Sequence, residues 1–405
     1  MIKFAIIGGG VAGVTAARSL ADAASATDGI DIFSAEPYPY YPRPHLWRFI
    51  ADEMEQEDLY FQPLSWYEEK GIQFHVDRRV VAIDTGEHRL TLGDGERVTY
   101  DRLLVATGGR PFVPPVQGTD KEGVFTLRTL EDALAIKEYA AGVEKAVVIG
   151  GGLLGLETAR ALHDAGLAAH VIEIADYLLP RQVDREGAQA LRAILEAQGL
   201  ELTTGTVVEA ILGEERAEKV RTKDGRDLPG QLILFSAGIR CRASLAKEAG
   251  LEVNRGVLVD GQMKTSADDV FAAGDVAEFE GKIYGIIPPA IEQANVAAAN
   301  MMESGSETYT GTLPTTTLEV AGARVTSLGN YDPEDAEAFR IERHAEPERG
   351  LYRKFVLDDG FVVGAILIND PQRAAMVRPL IEREIDVSEY AHRLTQGDFD
   401  LKSLL

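Results

Sequence analysis

The chain has 405 residues, 45% hydrophobic and 26% charged, which suits two or three globular domains and excludes a single core. Its 41 basic and 65 acidic residues sum to −24, a charge that repels nucleic acid and anionic membrane surfaces. A single cysteine, Cys241, excludes an internal disulfide, a cysteine-ligated iron–sulfur cluster and a dithiol redox pair, and suits a reducing, cytoplasmic setting.

The chain opens on an apolar run, residues 2–7, that ends in glycines; residues 11–26 then read as an alanine-rich helix and 30–34 as a second strand. Lys3, the apolar run and Ala24-Ser25-Ala26 imitate a secretory signal, but Gly8, Gly9, Gly10 and Gly13 give the run another meaning. Residues 72–92 alternate loosely, with turn signals. Residues 101–109 read as a buried strand ending in a glycine turn. The strand–glycine–helix–strand pattern then returns at 146–149, 150–155, a helix to about 166, and 169–173. Segments 231–238 and 268–276 repeat the buried strand with its terminal turn, and 289–303 reads as a helix. From about 310 the pattern changes to short strands (315–320, 324–329, 351–357, 361–368) and a helix at 371–384. The expected fold class is α/β: two Rossmann-like dinucleotide-binding domains and a small C-terminal α+β domain. The expected boundaries are 1–112 with 242–309, 113–241, and 310–405. No apolar stretch nears the ~20 residues that span a bilayer, and the seven histidines show no metal-ligand spacing, so neither membrane insertion nor a metal is expected.

Gly8-x-Gly10-x-x-Gly13 follows a strand and opens a helix. The first glycine allows a tight turn, the second lets a pyrophosphate approach the backbone, and the third lets helix and strand pack closely. The helix N-terminus offers free N–H groups to the phosphates. Glu36 is the candidate acid for the ribose hydroxyls. Gly150, Gly152 and Gly155 repeat the spacing, and Glu173 closes the next strand. A carboxylate there accepts ribose 2′-hydroxyl hydrogen bonds and repels a 2′-phosphate, which favours NAD over NADP; Arg181 reads as an anchor of the following helix. Two nucleotides held by one chain imply transfer between them, most economically a tightly bound FAD and an exchangeable NAD(H).

Beyond the two glycine motifs, the chain carries Pro39-Tyr40-Tyr41-Pro42-Arg43-Pro44-x-Leu46 and the turns Ala106-Thr107-Gly108-Gly109 and Ser236-Ala237-Gly238-Ile239. It also carries Ala273-Gly274-Asp275 and Pro289-Ala290-x-x-Gln293. With these it resembles, over essentially its whole length, the flavoprotein reductases with two dinucleotide domains. The nearest resemblance is to NADH:rubredoxin oxidoreductases, ferredoxin reductases and the flavoprotein part of assimilatory nitrite reductases. The resemblance implies FAD contacts by Arg43 and Asp275, and cofactor binding at the turns of Ala106, Thr107, Gly108, Gly238 and Gly274, with the Gly238 turn near the nicotinamide. It implies a helix from Pro289 to Gln293 aimed at the flavin pyrimidine ring. It implies a basic residue paired with a glutamate beside the flavin, here Arg48 and Glu157; lysine is usual where Arg48 stands. Thiol-bearing relatives have a cysteine in the proline-rich segment, and this chain has none. The C-terminal segment Leu318-Glu319-Val320 resembles the third domain of rubredoxin reductases, though a lysine is common at Glu319. The implied activity is NADH oxidation through FAD, with electrons passed to a rubredoxin or ferredoxin. A peroxide-forming NADH oxidase and a subunit of a larger redox assembly are the alternatives. An acidic carrier would need a basic patch, for which Arg340, Arg343, Arg349, Arg353 and Lys354 are candidates. Cys241, lacking a resolving partner, reads as a bystander.

Overall fold

The computed structural model describes residues 2–23, 28–303, 305–313, 315–320 and 322–405; the signal-like Ala24-Ser25-Ala26 lies outside them. The chain divides into two compact units.

The first unit comprises Met1–Leu46, Met54–Pro111 and Ile239–Thr312. Its centre is a parallel sheet in the order Val270–Ala272, Arg102–Val105, Lys3–Ile7, Gly29–Phe33, Ile72–His75. Parallel strands are covered on both faces, so they read as continuous apolar runs. Phe4, Ile6, Ile32, Leu103, Leu104 and Val270 are accordingly buried. The glycine-motif helix, Val11–Ala23, packs against helix Ile287–Met302. Both bury alanines (Ala16 and Ala17; Ala294, Ala297 and Ala298), which let the two backbones approach. The loose alternation in 72–92 resolves into two destinations. Ile72–His75 joins the parallel sheet, while Val80–Asp84 and Arg89–Leu92 build an antiparallel sheet with Arg97–Thr99.

The second unit comprises Trp47–Glu53, Phe112–Gly238 and Leu313–Leu405. It repeats the parallel sheet in the order Val124–Thr126, Leu232–Phe235, Lys145–Ile149, Ala168–Ile172, Glu201–Thr203. Helix Leu130–Ala140 starts at a full capping box between Thr129 and Asp132, a signal the sequence reading passed over. The C-terminal residues form an antiparallel sheet in the order Thr315–Val320, Ala323–Gly329, Phe361–Ile368, Leu351–Asp358, Arg340–Glu346. Helix Pro371–Glu382 covers one face through Val377 and Leu380, against Phe355 and Leu357. The sequence reading missed Arg340–Glu346, because an edge strand carrying RIERHAE leaves no buried periodicity.

Candidate functional site

The two glycine motifs have one geometry. A Cβ on Gly8 would lie 2.2 Å from the carbonyl oxygen of Ala106, and one on Gly150 would lie 2.3 Å from that of Ser236. Both glycines have positive φ, +118° and +126°. A Cβ on Gly13 would meet Gly8 O at 2.0 Å, and one on Gly155 would meet Gly150 O at 2.0 Å. Gly10 and Gly152 are different: a Cβ there would meet no atom within 4 Å. First and third glycines are thus required by the protein's own packing, and the middle one leaves an open cradle at a helix N-terminus. That is the space a pyrophosphate needs.

The residue that ends the second strand of each repeat sits beside the cradle. Gly8 N–H donates to Phe33 O (2.9 Å) and Gly150 N–H to Ile172 O (2.8 Å), so the equivalent following residues are Ser34 and Glu173. Glu36 is therefore not the counterpart of Glu173. The first repeat runs 26 residues from Gly8 to Ser34 and the second 23 from Gly150 to Glu173, which hides the match when counting from the glycines. Glu36 instead pairs with Arg43 (2.6 Å) and accepts the Tyr41 hydroxyl. Glu173 is 7% exposed and its two oxygens accept Gly151 N–H (2.6 Å) and Ala175 N–H (2.8 Å). The next side chain, Ile174, is 69% exposed.

Around the first cradle, the Gly274–Asp275 turn lies beside the glycine helix: a Cβ on Gly274 would sit 2.9 Å from Ala12 Cβ and 3.6 Å from Ala290 Cβ. Gly274 N–H donates to Gln293 Oε1 at 2.9 Å. Against burial, the Glu36 carboxylate, with a smaller contribution from Asp275, holds the Arg43 guanidinium protonated. Gly8, Gly10, Gly13, Ala106, Arg43, Glu36, Gly274, Asp275 and Gln293 thus converge in one unit. Thr107 Oγ1 donates to Arg242 O (2.9 Å), and Gly108 O accepts Arg242 N–H (2.8 Å), so these two brace the turn. Cys241 Sγ donates to Asp275 O at 3.0 Å, and burial pushes its thiol up, away from thiolate chemistry. In the second unit, Gly238 closes the turn after Leu232–Phe235, at φ +90°, and its carbonyl accepts Phe112 N–H (2.9 Å).

Two expectations need correction. Arg48 and Glu157 do not form a pair. Arg48 is ion-paired to Glu53 at 3.1 Å. Glu157 lies on helix Leu153–Asp164, is 8% exposed, and burial alone pushes its carboxyl up to about 8; no cation contributes. It stands as an isolated acid that keeps its proton at neutral pH. The basic patch also dissolves. Lys354 is 1% exposed and bound by Asp184 (2.9 Å) and Asp332 (3.1 Å), and Arg353 is buried on Asp370 (2.6 Å). Arg340, Arg343 and Arg349 pair with Glu342, Glu186 and Glu346. Arg353 and Lys354 are neighbours on a strand buried on both faces, so each is covered whichever way it points, and acidic neighbours neutralise the rest. Among the described residues, no cluster of His, Cys, Asp and Glu could hold a metal ion, and no helix is long and apolar enough to cross a membrane.

Comparison with known proteins matches residues 2–300 to the pyridine nucleotide-disulphide oxidoreductase family and residues 314–385 to the rubredoxin NAD+ reductase C-terminal domain. A nitrite reductase [NAD(P)H] of Bacillus subtilis is 35% identical over 389 residues, 96% of this chain and 48% of the relative. The chain thus spans about half the length of that relative. An NADH-rubredoxin oxidoreductase of Clostridium acetobutylicum is 30% identical over 380 residues, 94% of each chain. The crystal structure of a ferredoxin reductase for the CYP199A2 system of Rhodopseudomonas palustris superposes with a TM-score of 0.89 at 25% identity, covering 100% of this chain and 99% of that one. The chain belongs to the pyridine nucleotide-disulphide oxidoreductase family, flavoprotein oxidoreductases that use FAD and NAD(H).

Proposed function

We propose that this protein oxidises NADH and passes the electrons, through FAD, to a small iron–sulfur protein such as a rubredoxin or ferredoxin. The observation that carries the reading is the pair of open cradles at Gly10 and Gly152, flanked by glycines with the same backbone contacts. In this reading FAD lies on the first, held by Arg43, Glu36, Asp275 and the Ala106–Gly108 turn, and NADH on the second. Bound FAD would supply the chemistry that converts a two-electron donor into single electrons. The protein's share is position, dipoles and exclusion of water. The single cysteine leaves no thiol pair within these residues to receive electrons, so the acceptor is a redox centre outside them. The proposed setting is the cytoplasm.

Glu173 sets the preference for NADH. Its carboxylate is anchored by two backbone N–H groups, so it cannot swing aside for a 2′-phosphate. Glu173→Ala should raise the Michaelis constant for NADH about tenfold, as loss of one charge-assisted hydrogen bond implies. Adding Ile174→Arg, at an exposed position, should then favour NADPH. Steady-state kinetics with both nucleotides test this, and an unchanged ratio removes Glu173 from the site.

The acceptor is tested by reducing the yellow protein with NADH without oxygen and mixing it rapidly with rubredoxin, with ferredoxin or with oxygen. Rapid reoxidation by a carrier and slow reoxidation by oxygen support the proposal; the reverse makes it a peroxide-forming NADH oxidase. A second reading, the flavoprotein part of a larger redox assembly, is favoured by the B. subtilis relative, which is about twice as long as the match. Slow turnover with every free carrier and a stably co-purifying redox partner would favour it.

A further inference from the structure

Gln293 is 1% exposed and lies on the helix Ile287–Met302, among buried alanines. Its Oε1 accepts Gly274 N–H at 2.9 Å, so its amide nitrogen is the end left to donate. That nitrogen has a partner in the Tyr309 hydroxyl, which shares a side-chain hydrogen bond with Gln293 and another with Tyr284. Tyr309 Oη lies 2.6 Å from Thr312 Oγ1, and Thr312 Oγ1 donates to Glu292 Oε2 at 2.5 Å. A carboxylate only accepts. Thr312 must therefore spend its one proton on Glu292, and Tyr309 must donate to Thr312. Along the line from Gly274 to Glu292 the bonds then point the same way, from amide N–H to amide, phenol, alcohol and carboxylate. Chains ordered like this polarise one another and strengthen each member. Thr312 N–H is also taken, by Tyr284 Oη at 3.2 Å, and Tyr309 N–H by Gly261 O at 2.7 Å, so the segment is fastened by its backbone as well.

We propose that Tyr309, Thr312 and Glu292 are positioning residues of the flavin site: by orienting Gln293 they fix the Gly274–Asp275 turn at the geometry that grips FAD. This rests on the reading that Asp275 holds FAD. None of the three was marked by the sequence, because they stand 18 to 38 residues from Gly274 and belong to no motif.

The test uses the holoprotein and its rate of FAD release, read from the fluorescence gained as flavin leaves. Tyr309→Phe and Thr312→Val each keep the buried shape and should speed release about tenfold. Glu292→Leu should do the same. Glu292→Gln still offers an oxygen to Thr312 and should release FAD at nearly the parent rate. The double variant Tyr309→Phe/Glu292→Leu should be no faster than either single one, since each already breaks the chain. Near-ultraviolet circular dichroism and the urea midpoint of the stripped protein check that each variant folds; faster release in step with a fallen midpoint, and no rescue by Gln, would reduce the chain to general stability and overturn the proposal. Parent-like release in Tyr309→Phe would overturn it too. Asp275→Ala separates the two readings. Rapid FAD loss there with parent-like Tyr309→Phe leaves the flavin site standing and sinks only the positioning chain. Full retention in Asp275→Ala removes the site reading itself.

Discussion

Replacing Gly152 by valine should abolish NADH binding while leaving the fold intact. Gly152 has φ −79° and ψ 178°, extended backbone open to any residue, and no protein atom lies within 4 Å of the position its Cβ would take. The new side chain meets nothing except the ligand. It fills the cradle at the N-terminus of the helix Leu153–Asp164 and blocks the N–H groups that a pyrophosphate would use. Losing charge-assisted hydrogen bonds there costs roughly 3 kcal/mol, about a 100-fold loss of affinity. The expected record is a protein that stays yellow, melts at the parent temperature and is reduced by dithionite, but is no longer reduced by NADH. The mirror change, Gly10→Val, should empty the flavin site instead. Gly155→Val should fail differently: its Cβ would sit 2.0 Å from Gly150 O, so the packing of helix against turn gives way and the melting temperature falls. Parent-like NADH reduction in Gly152→Val would mean that the second cradle does not hold the nucleotide.

The second large effect is on the pH dependence of stability. Glu157 is raised from 4.5 to about 8 by burial, so between those values the unfolded chain loses a proton that the folded one keeps. Folding takes up a proton over that interval, and stability falls as pH rises through it. The difference corresponds to roughly 5 kcal/mol, fully lost above the folded value. Glu157→Gln has the same shape without the titration. It should match the parent below pH 4.5 and be the more stable protein, by an amount approaching that figure, at pH 9. Urea midpoints of the two stripped proteins across pH 4–9 measure it, and parallel curves would refute an isolated buried acid. A second readout concerns hydride transfer. At pH 7 the carboxyl is already neutral, so Glu157→Gln should be reduced by NADH at about the parent rate and diverge above pH 8.

Both results turn on features that were legible to different degrees in the chain itself. The cradles were read from spacing alone, because each glycine answers a local demand: a positive φ at Gly8 and Gly150, a close helix approach at Gly13 and Gly155, an open N-terminus at Gly10 and Gly152. Strand, turn and helix are neighbours in sequence, so their geometry is written in consecutive residues. The continuous apolar runs marked the parallel strands for the same reason, since burial on both faces leaves no alternation to misread.

Side-chain pairings over distance were a different matter. Whether Arg48 meets Glu157 or Glu53, whether Lys354 faces water or Asp184, and which residue stands opposite Glu173 depend on how separated segments come together. The raised Glu157 is a product of burial by tertiary packing, and its own helix gives no hint of it. The line from Gly274 through Gln293, Tyr309 and Thr312 to Glu292 joins a turn, a helix and a loop. The sequence by itself determined the two glycine cradles, because backbone conformation is a local property. Only the tertiary structure decided which charges are paired, buried or aligned, because desolvation and hydrogen-bond direction are set by neighbours that the chain brings from afar.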